Sequence, residues 1–169
     1  GLGKTRTALM LARERGDQVV LVVAPLQTLD GWISTSAVEL PDMPVYLIDS
    51  SKKGKIALAN FQWRARGVYL IGHEYWERLA WTHEVYKTRR KKLDPETGKL
   101  VPEIKKRKVD SGLWSCPEWS SPGYLLVFDE SHRSANPDSW THRALRNIRA
   151  DFKLAMSGTF FGNGFDGAY

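Results

Sequence analysis

The chain has 169 residues, long enough to bury the core of one domain. At 42% hydrophobic and 26% charged residues, with no low-complexity tract, it is neither disordered nor fibrous, and no apolar run approaches the ~18 residues that cross a bilayer. The single cysteine, Cys116, excludes an internal disulfide and a cysteine-rich zinc site. With no initiator Met and nothing like a signal peptide at the start, these features suit a reducing, cytoplasmic setting. The net charge of +6 is unevenly placed: Thr82 to Asp110 holds ten Lys and Arg against five Asp and Glu, and the remainder fifteen against fourteen.

Thr5 to Arg15 places apolar residues at Ala8, Leu9, Leu11 and Ala12 among good helix formers, and Gly16 ends that helix. Gln18 to Ala24 is a continuous run of β-branched and aliphatic residues, the pattern of a strand covered on both faces. Pro25 stops it. Thr28 to Leu40 reads as a helix with Leu29, Trp32, Ile33 and Leu40 inward. A short strand at 45–48 follows, then a helix over Lys53–Arg66 offering Ile56, Leu58, Ala59 and Trp63 for burial. Val68 to Ile71 is the next strand and Glu74 to Trp81 a short helix.

The alternation breaks over 82–123, which holds the basic cluster, a turn signal at Asp94–Gly98 and a tract rich in Trp, Ser and Pro. Order resumes with the apolar strand Tyr124–Phe128 ending on Asp129 and Glu130, a helix from Trp140 to Ile148, and a strand from Phe152 to Met156 ending on Ser157, Gly158 and Thr159. Strands alternating with helices predict an α/β fold with a parallel sheet covered on both faces. Ligands of such sheets collect at the carboxyl ends of strands, where Pro25, Asp129, Glu130 and 157–159 fall.

Gly3-Lys4-Thr5 opening a helix matches the end of a phosphate-binding loop, Gly-x-x-x-x-Gly-Lys-Thr. Backbone N–H groups of such a loop (Gly1, Leu2 and Gly3 here) and the helix dipole bind phosphate oxygens, the lysine neutralises β- and γ-phosphate charge, and the threonine hydroxyl holds Mg²⁺. The pattern's first glycine and the strand feeding the loop are expected before Gly1. Asp129 and Glu130 supply what phosphoryl transfer also needs, one carboxylate for Mg²⁺ and one to orient or deprotonate the attacking water. Lys4 and Glu130 are thus the expected catalytic pair, and Thr5 and Asp129 the expected metal ligands. His73, His83 and His142 are scattered without metal-ligand spacing.

Asp129-Glu130-Ser131-His132 resembles the Asp-Glu-x-His box of superfamily-two helicases. The stretch from Arg133 to Ser139, the segment from Leu154 to Asn163, Val22 to Leu26 with Leu29 and Trp32, and, more loosely, Tyr69 to Tyr75 are similar to successive boxes of the Swi/Snf-type ATPases. Phe160 stands where that family has proline, and Ser131 where it more usually has alanine. The resemblance covers the chain except 82–123. It implies a partial N-terminal RecA-like P-loop NTPase lobe spanning 1–169, with ATP and Mg²⁺ as cofactors and double-stranded DNA as partner. A second RecA-like lobe carrying arginines is expected in the full-length chain, which would be a cytoplasmic, nucleoid-associated or nuclear motor. Ala24, Pro25 and Leu26 would bring backbone near a nucleic-acid strand, and His132, Ser157, Gly158 and Thr159 would couple nucleotide state to strand contact. The isolated chain is expected to bind ATP weakly and to hydrolyse it negligibly.

Within the insertion, two basic arms flank the Asp94–Gly98 turn, a pattern that predicts a hairpin tracking a phosphate backbone through Arg89, Arg90, Lys91 and Lys92. Trp81, Tyr86, Trp114 and Trp119 are near enough in sequence to offer stacking surfaces. Two other readings remain: a helicase-like subunit of a restriction system or an RNA helicase, and a non-hydrolysing nucleotide-dependent binding module.

Overall fold

The computed structural model describes residues 3–114 and 123–158. Gly1, Leu2, Cys116, Trp119 and Thr159 lie outside them. The core is a five-stranded, all-parallel sheet in the order β2-β3-β1-β6-β7, formed by Val45–Ile48, Gly67–Gly72, Val19–Ala24, Tyr124–Phe128 and Phe152–Ala155 respectively. All of β1, β3 and β6 is buried, as continuous apolar runs in the middle of a parallel sheet require.

The period-two geometry of a strand sorts these residues into two cores. Val20, Val22, Ala24, Val68, Leu70, Leu125 and Val127 pack against α1 (Lys4–Arg15) and α2 (Leu29–Glu39). Val19, Leu21, Val23, Tyr69, Ile71, Leu126 and Phe128 pack against α3 (Lys52–Gln62), α4 (His73–Ala80) and α5 (Trp140–Asn147). The α/β expectation with helices on both faces is met.

Three inward faces differ from the sequence reading. On α2 the buried stripe is Leu29, Trp32, Ser36 and Glu39, while Ile33 is exposed. Two arginines of α1 explain the buried acid, since Arg6 Nε and Arg13 Nη1 lie 2.7 and 3.4 Å from the Glu39 carboxylate. On α3 the buried residues are Gly54, Ala57 and Phe61, and Ile56 and Trp63 face solvent. A side chain at Gly54 would meet the Asp49 backbone at 2.5 Å, so close approach selects the small residues there. Trp114 is core: it is 2% exposed and stacks on Trp76 with ring centroids 4.0 Å apart, closed to any base.

Trp81 does not end α4. It opens β4 (Trp81–Leu93), which pairs antiparallel with β5 (Leu100–Asp110) in a separate two-stranded ribbon, confirming the hairpin. The Asp94 carboxylate accepts the N–H groups of Glu96 and Thr97, and Gly98 takes the left-handed conformation that closes the turn. Because α4 starts at the carboxyl end of β3 and runs back along the sheet, the ribbon leaves from the amino edge. The returning chain is fastened there: the Ser111 N–H bonds the Ala80 carbonyl, the Ser111 hydroxyl bonds that of Leu79 at 2.6 Å, and Asn147 at the end of α5 donates to the Asp110 carboxylate.

Candidate active site

α1 starts at the opposite, carboxyl edge. Its N-cap, Gly3, sits at φ 73°, a left-handed conformation that costs other residues roughly 1–2 kcal/mol. Thr7 directs both its N–H and its hydroxyl at the Gly3 carbonyl, the first bonds of the helix. The amides of Lys4, Thr5 and Arg6 are left without helical partners, no side chain caps them, and no acid occupies the first turn. That is an anion-binding end.

Into the same space β6 delivers its two carboxylates. Lys4 Nζ lies 3.2 Å from Glu130 Oε1 and 3.9 Å from Asp129 Oδ1. Asp129 is 6% exposed, and its side chain accepts the Glu130 N–H at 3.0 Å and the Trp32 indole N–H at 3.4 Å. Glu130 adopts φ 51°, a left-handed conformation worth about 1–3 kcal/mol of strain in a residue with a side chain. Neighbouring strands impose it. The Asp129 N–H bonds the Val23 carbonyl at 2.9 Å and the Ser131 N–H bonds the Met156 carbonyl at 2.8 Å, so the backbone is pinned on both sides of Glu130.

The hydrogen bond and charge of Lys4 hold the Glu130 carboxyl below the usual glutamate range, with help from the Gly158 N–H and His132. His132 Nδ1 stands 3.2 Å from Ser157 Oγ and 3.3 Å from Glu130 Oε2, linking the end of β7 to the acidic turn. A side chain on Gly158 would come within 3.5 Å of Lys4 Nζ, so this loop lies directly against the lysine.

The donor set fits a hard divalent cation. Thr5 offers a hydroxyl with no hydrogen bond to a described residue, Asp129 offers a buried carboxylate, and Mg²⁺ bound with phosphates needs only one or two such protein ligands. Among the described residues no cluster of three or more His, Cys, Asp or Glu forms another metal site.

Lys4, Asp129, Glu130, His132, Ser157 and Gly158 therefore converge. Ala24 is fully enclosed, Pro25 half-buried and 26–28 exposed, with Leu26 66% exposed. Arg89, Arg90, Lys91 and Lys92 belong to the ribbon at the other edge, and Lys91 and Lys92, as consecutive strand residues, take opposite faces.

Two further residues join the site, each within a box matched by resemblance but given no role in the sequence reading. Apolar periodicity puts Trp32 only in the core. His73, which lacks metal-ligand spacing, is 5% exposed, sits edge-on to Phe128 at 4.7 Å, and places Nε2 2.9 Å from the Asp129 carbonyl. A carbonyl only accepts, so Nε2 carries the proton. Burial holds the His73 pKa below the ordinary imidazole value, against the opposing pull of the Asp129 carbonyl. Its place immediately after the carboxyl end of β3 is the signal in the sequence that points to it.

A solved structure described as the Sulfolobus solfataricus SWI2/SNF2 ATPase core in complex with dsDNA aligns over 100% of this chain and 28% of its own, with a TM-score of 0.62 and 19% identity. The chain shares the fold of part of that ATPase core. In sequence, Helicase ARIP4 of Xenopus tropicalis is 24% identical over 186 residues, and Helicase ARIP4 of Mus musculus 24% over 191. Each alignment takes in 94% of this chain but only 13% of the helicase. No family model matches. The fold likeness agrees with the resemblance to Swi/Snf-type ATPases outside 82–123, and the fold puts the matching boxes, from Gly3 to Gly158, around one edge. No helix among the described residues is long and apolar enough to cross a membrane.

Proposed function

We propose that this chain is the ATP-binding lobe of an ATP-dependent DNA translocase or helicase-like motor of the Swi/Snf type. The observation that carries the reading is the convergence of Lys4, at the open amino end of α1, with Asp129 and Glu130 at the end of β6. The free amides of α1 and the Lys4 ammonium bind the β- and γ-phosphates of ATP. Thr5 and Asp129 would hold Mg²⁺, which when bound would neutralise phosphate charge. Glu130, fixed by its pinned backbone, orients the attacking water once Lys4 turns from it to phosphate. His132 and Ser157, hydrogen-bonded at 3.2 Å, transmit the state of the site to the end of β7, and Pro25 to Thr28 meets the nucleic acid. A non-hydrolysing module has no use for the Glu130 carboxylate. In the full-length protein, a second lobe completes the site, and the 169-residue chain alone binds ATP weakly and turns it over negligibly.

The test is Glu130→Gln in the full-length protein. DNA-stimulated phosphate release should vanish while ATP binding, read by calorimetry, persists. Undiminished turnover in the variant overturns the assignment.

A further inference from the structure

The ribbon is two-faced. Directly opposed residues of an antiparallel pair share a face, so the register His83↔Lys108, Val85↔Lys106, Lys87↔Ile104 and Lys91↔Pro102 defines one side. That side carries Lys87, Lys91, Lys106 and Lys108, and none of them pairs with a carboxylate of the described residues. On the other side Arg107 lies 2.7 Å from Glu84 and Lys105 3.6 Å from Glu103, with Lys92 beside them. Four lysines without carboxylate partners therefore share one face, with exposed Val85 and Ile104 between them.

The lysine face continues to the lobe, with Asp110 on the same face opposite Trp81. Lys108, held with Nζ 3.9 Å above the Trp81 ring, also lines a cleft of about 530 Å³ between the ribbon's foot and α5. Arg143 and Arg146 line the far wall, Arg143 packed over Trp140 at 5.2 Å. The acid in the cleft, Asp110, is engaged by Asn147 at 2.9 Å. Three cations on two elements facing one cleft, continued by lysines at alternate strand positions, match a long regular polyanion. Alternate strand residues recur every ~6.8 Å, about two axial steps of a B-form strand.

We infer that the Lys87/Lys91/Lys106/Lys108 face of the ribbon and the Arg143–Arg146 cleft form a second binding track for the phosphate backbone of duplex DNA. It lies at the amino edge of the sheet, away from Pro25 to Thr28 and the ATP site. The choice of DNA as the polyanion rests on the proposed motor function; the track itself rests on the ribbon's register. A two-stranded ribbon standing free of the lobe is marginal by itself and is of a size to lie against a duplex groove.

The test compares two equally charged triple variants of the full-length protein on a 30-base-pair duplex of arbitrary sequence, with affinity measured against salt. Lys106→Gln, Lys108→Gln and Arg143→Gln remove track cations; Lys92→Gln, Lys105→Gln and Arg107→Gln remove the same charge from the other face. The track variant should lower the salt slope by roughly 0.9 for each phosphate no longer neutralised, while the other variant leaves it unchanged. The second set breaks the Glu84–Arg107 pair and the first does not, so ribbon unfolding alone predicts the reverse order. Equal effects of both sets, or none from the track set, overturn the proposal. So does tighter binding to phosphatidylserine vesicles or polyglutamate than to the duplex. DNA-stimulated ATP turnover with an unmoved slope refutes the track and leaves the motor standing; a lowered slope in a protein without turnover does the opposite.

Discussion

The ammonium of Lys4 lies 3.2 Å from the carboxylate of Glu130, 126 positions along the chain, so the residue proposed to bind phosphate and the one proposed to orient water neutralise each other. Either partner's removal exposes the other. Both are about one-third exposed, so the pair itself adds little to stability. Under the proposed function its importance is electrostatic: an incoming γ-phosphate would take Lys4 from Glu130 and release the carboxylate only when nucleotide is present.

Lys4→Gln should therefore raise the Glu130 pKa toward the ordinary glutamate value, because the depression is caused first by the Lys4 hydrogen bond. In the parent, a depressed carboxyl contributes stability above its unfolded pKa and loses it as pH falls through the folded value; the variant should lack that contribution. Carboxyl-carbon NMR titration reads the shift. ATP affinity should fall roughly ten- to a hundred-fold, the loss of a charge-assisted hydrogen bond of about 1.5–3 kcal/mol.

His73→Gln tests whether the imidazole positions the acidic turn. Its pKa is depressed by burial, so the folded state resists protonation. The sign follows: parent stability holds above the ordinary histidine pKa and falls as pH drops through it, levelling below the folded value. Denaturant unfolding from about pH 7 to 5, the range that brackets histidine titration, should show this loss in the parent and a flatter profile in His73→Gln. Because Nε2 bonds the carbonyl of the proposed Mg²⁺ ligand Asp129, turnover of the full-length variant should fall about ten-fold, as for other groups that orient ligands. Parallel pH profiles would remove His73 from the site.

Trp114→Ala should destabilise the fold by about 3–5 kcal/mol, since a fully buried tryptophan leaves a cavity. The ring stacks on Trp76 and contacts Phe61, and its segment follows the fastening of the ribbon at Ser111. Urea unfolding gives the number, and a change under about 1 kcal/mol, the size of an ordinary surface substitution, would mean that the segment contributes nothing to the core.

Ser157→Ala removes the hydroxyl beside His132 without touching Lys4 or Asp129. DNA stimulation of ATP turnover should drop several-fold, with ATP affinity measured by calorimetry retained. Stimulation equal to the parent's would show that the Ser157–His132 contact carries no signal.

What the sequence determined by itself was whatever is written in short-range pattern. Continuous aliphatic runs at 19–24 and 124–128 dictate buried parallel strands, Gly3-Lys4-Thr5 dictates an open helix start, and Asp129-Glu130 ends a strand. The ribbon, too, was legible, because a turn signal between basic arms is local. Only the tertiary structure could decide contacts between distant segments and the faces that depend on them. Glu39 is buried because Arg6 and Arg13 reach it from another helix, so apolar periodicity misassigned Ile33. Trp114 is drawn inside by Trp76, and His73 gains its role from a carbonyl 56 positions away. Cross-strand register alone gathers Lys87, Lys91, Lys106 and Lys108 on one face of the ribbon, because charge composition says nothing of direction and strand pairing fixes it.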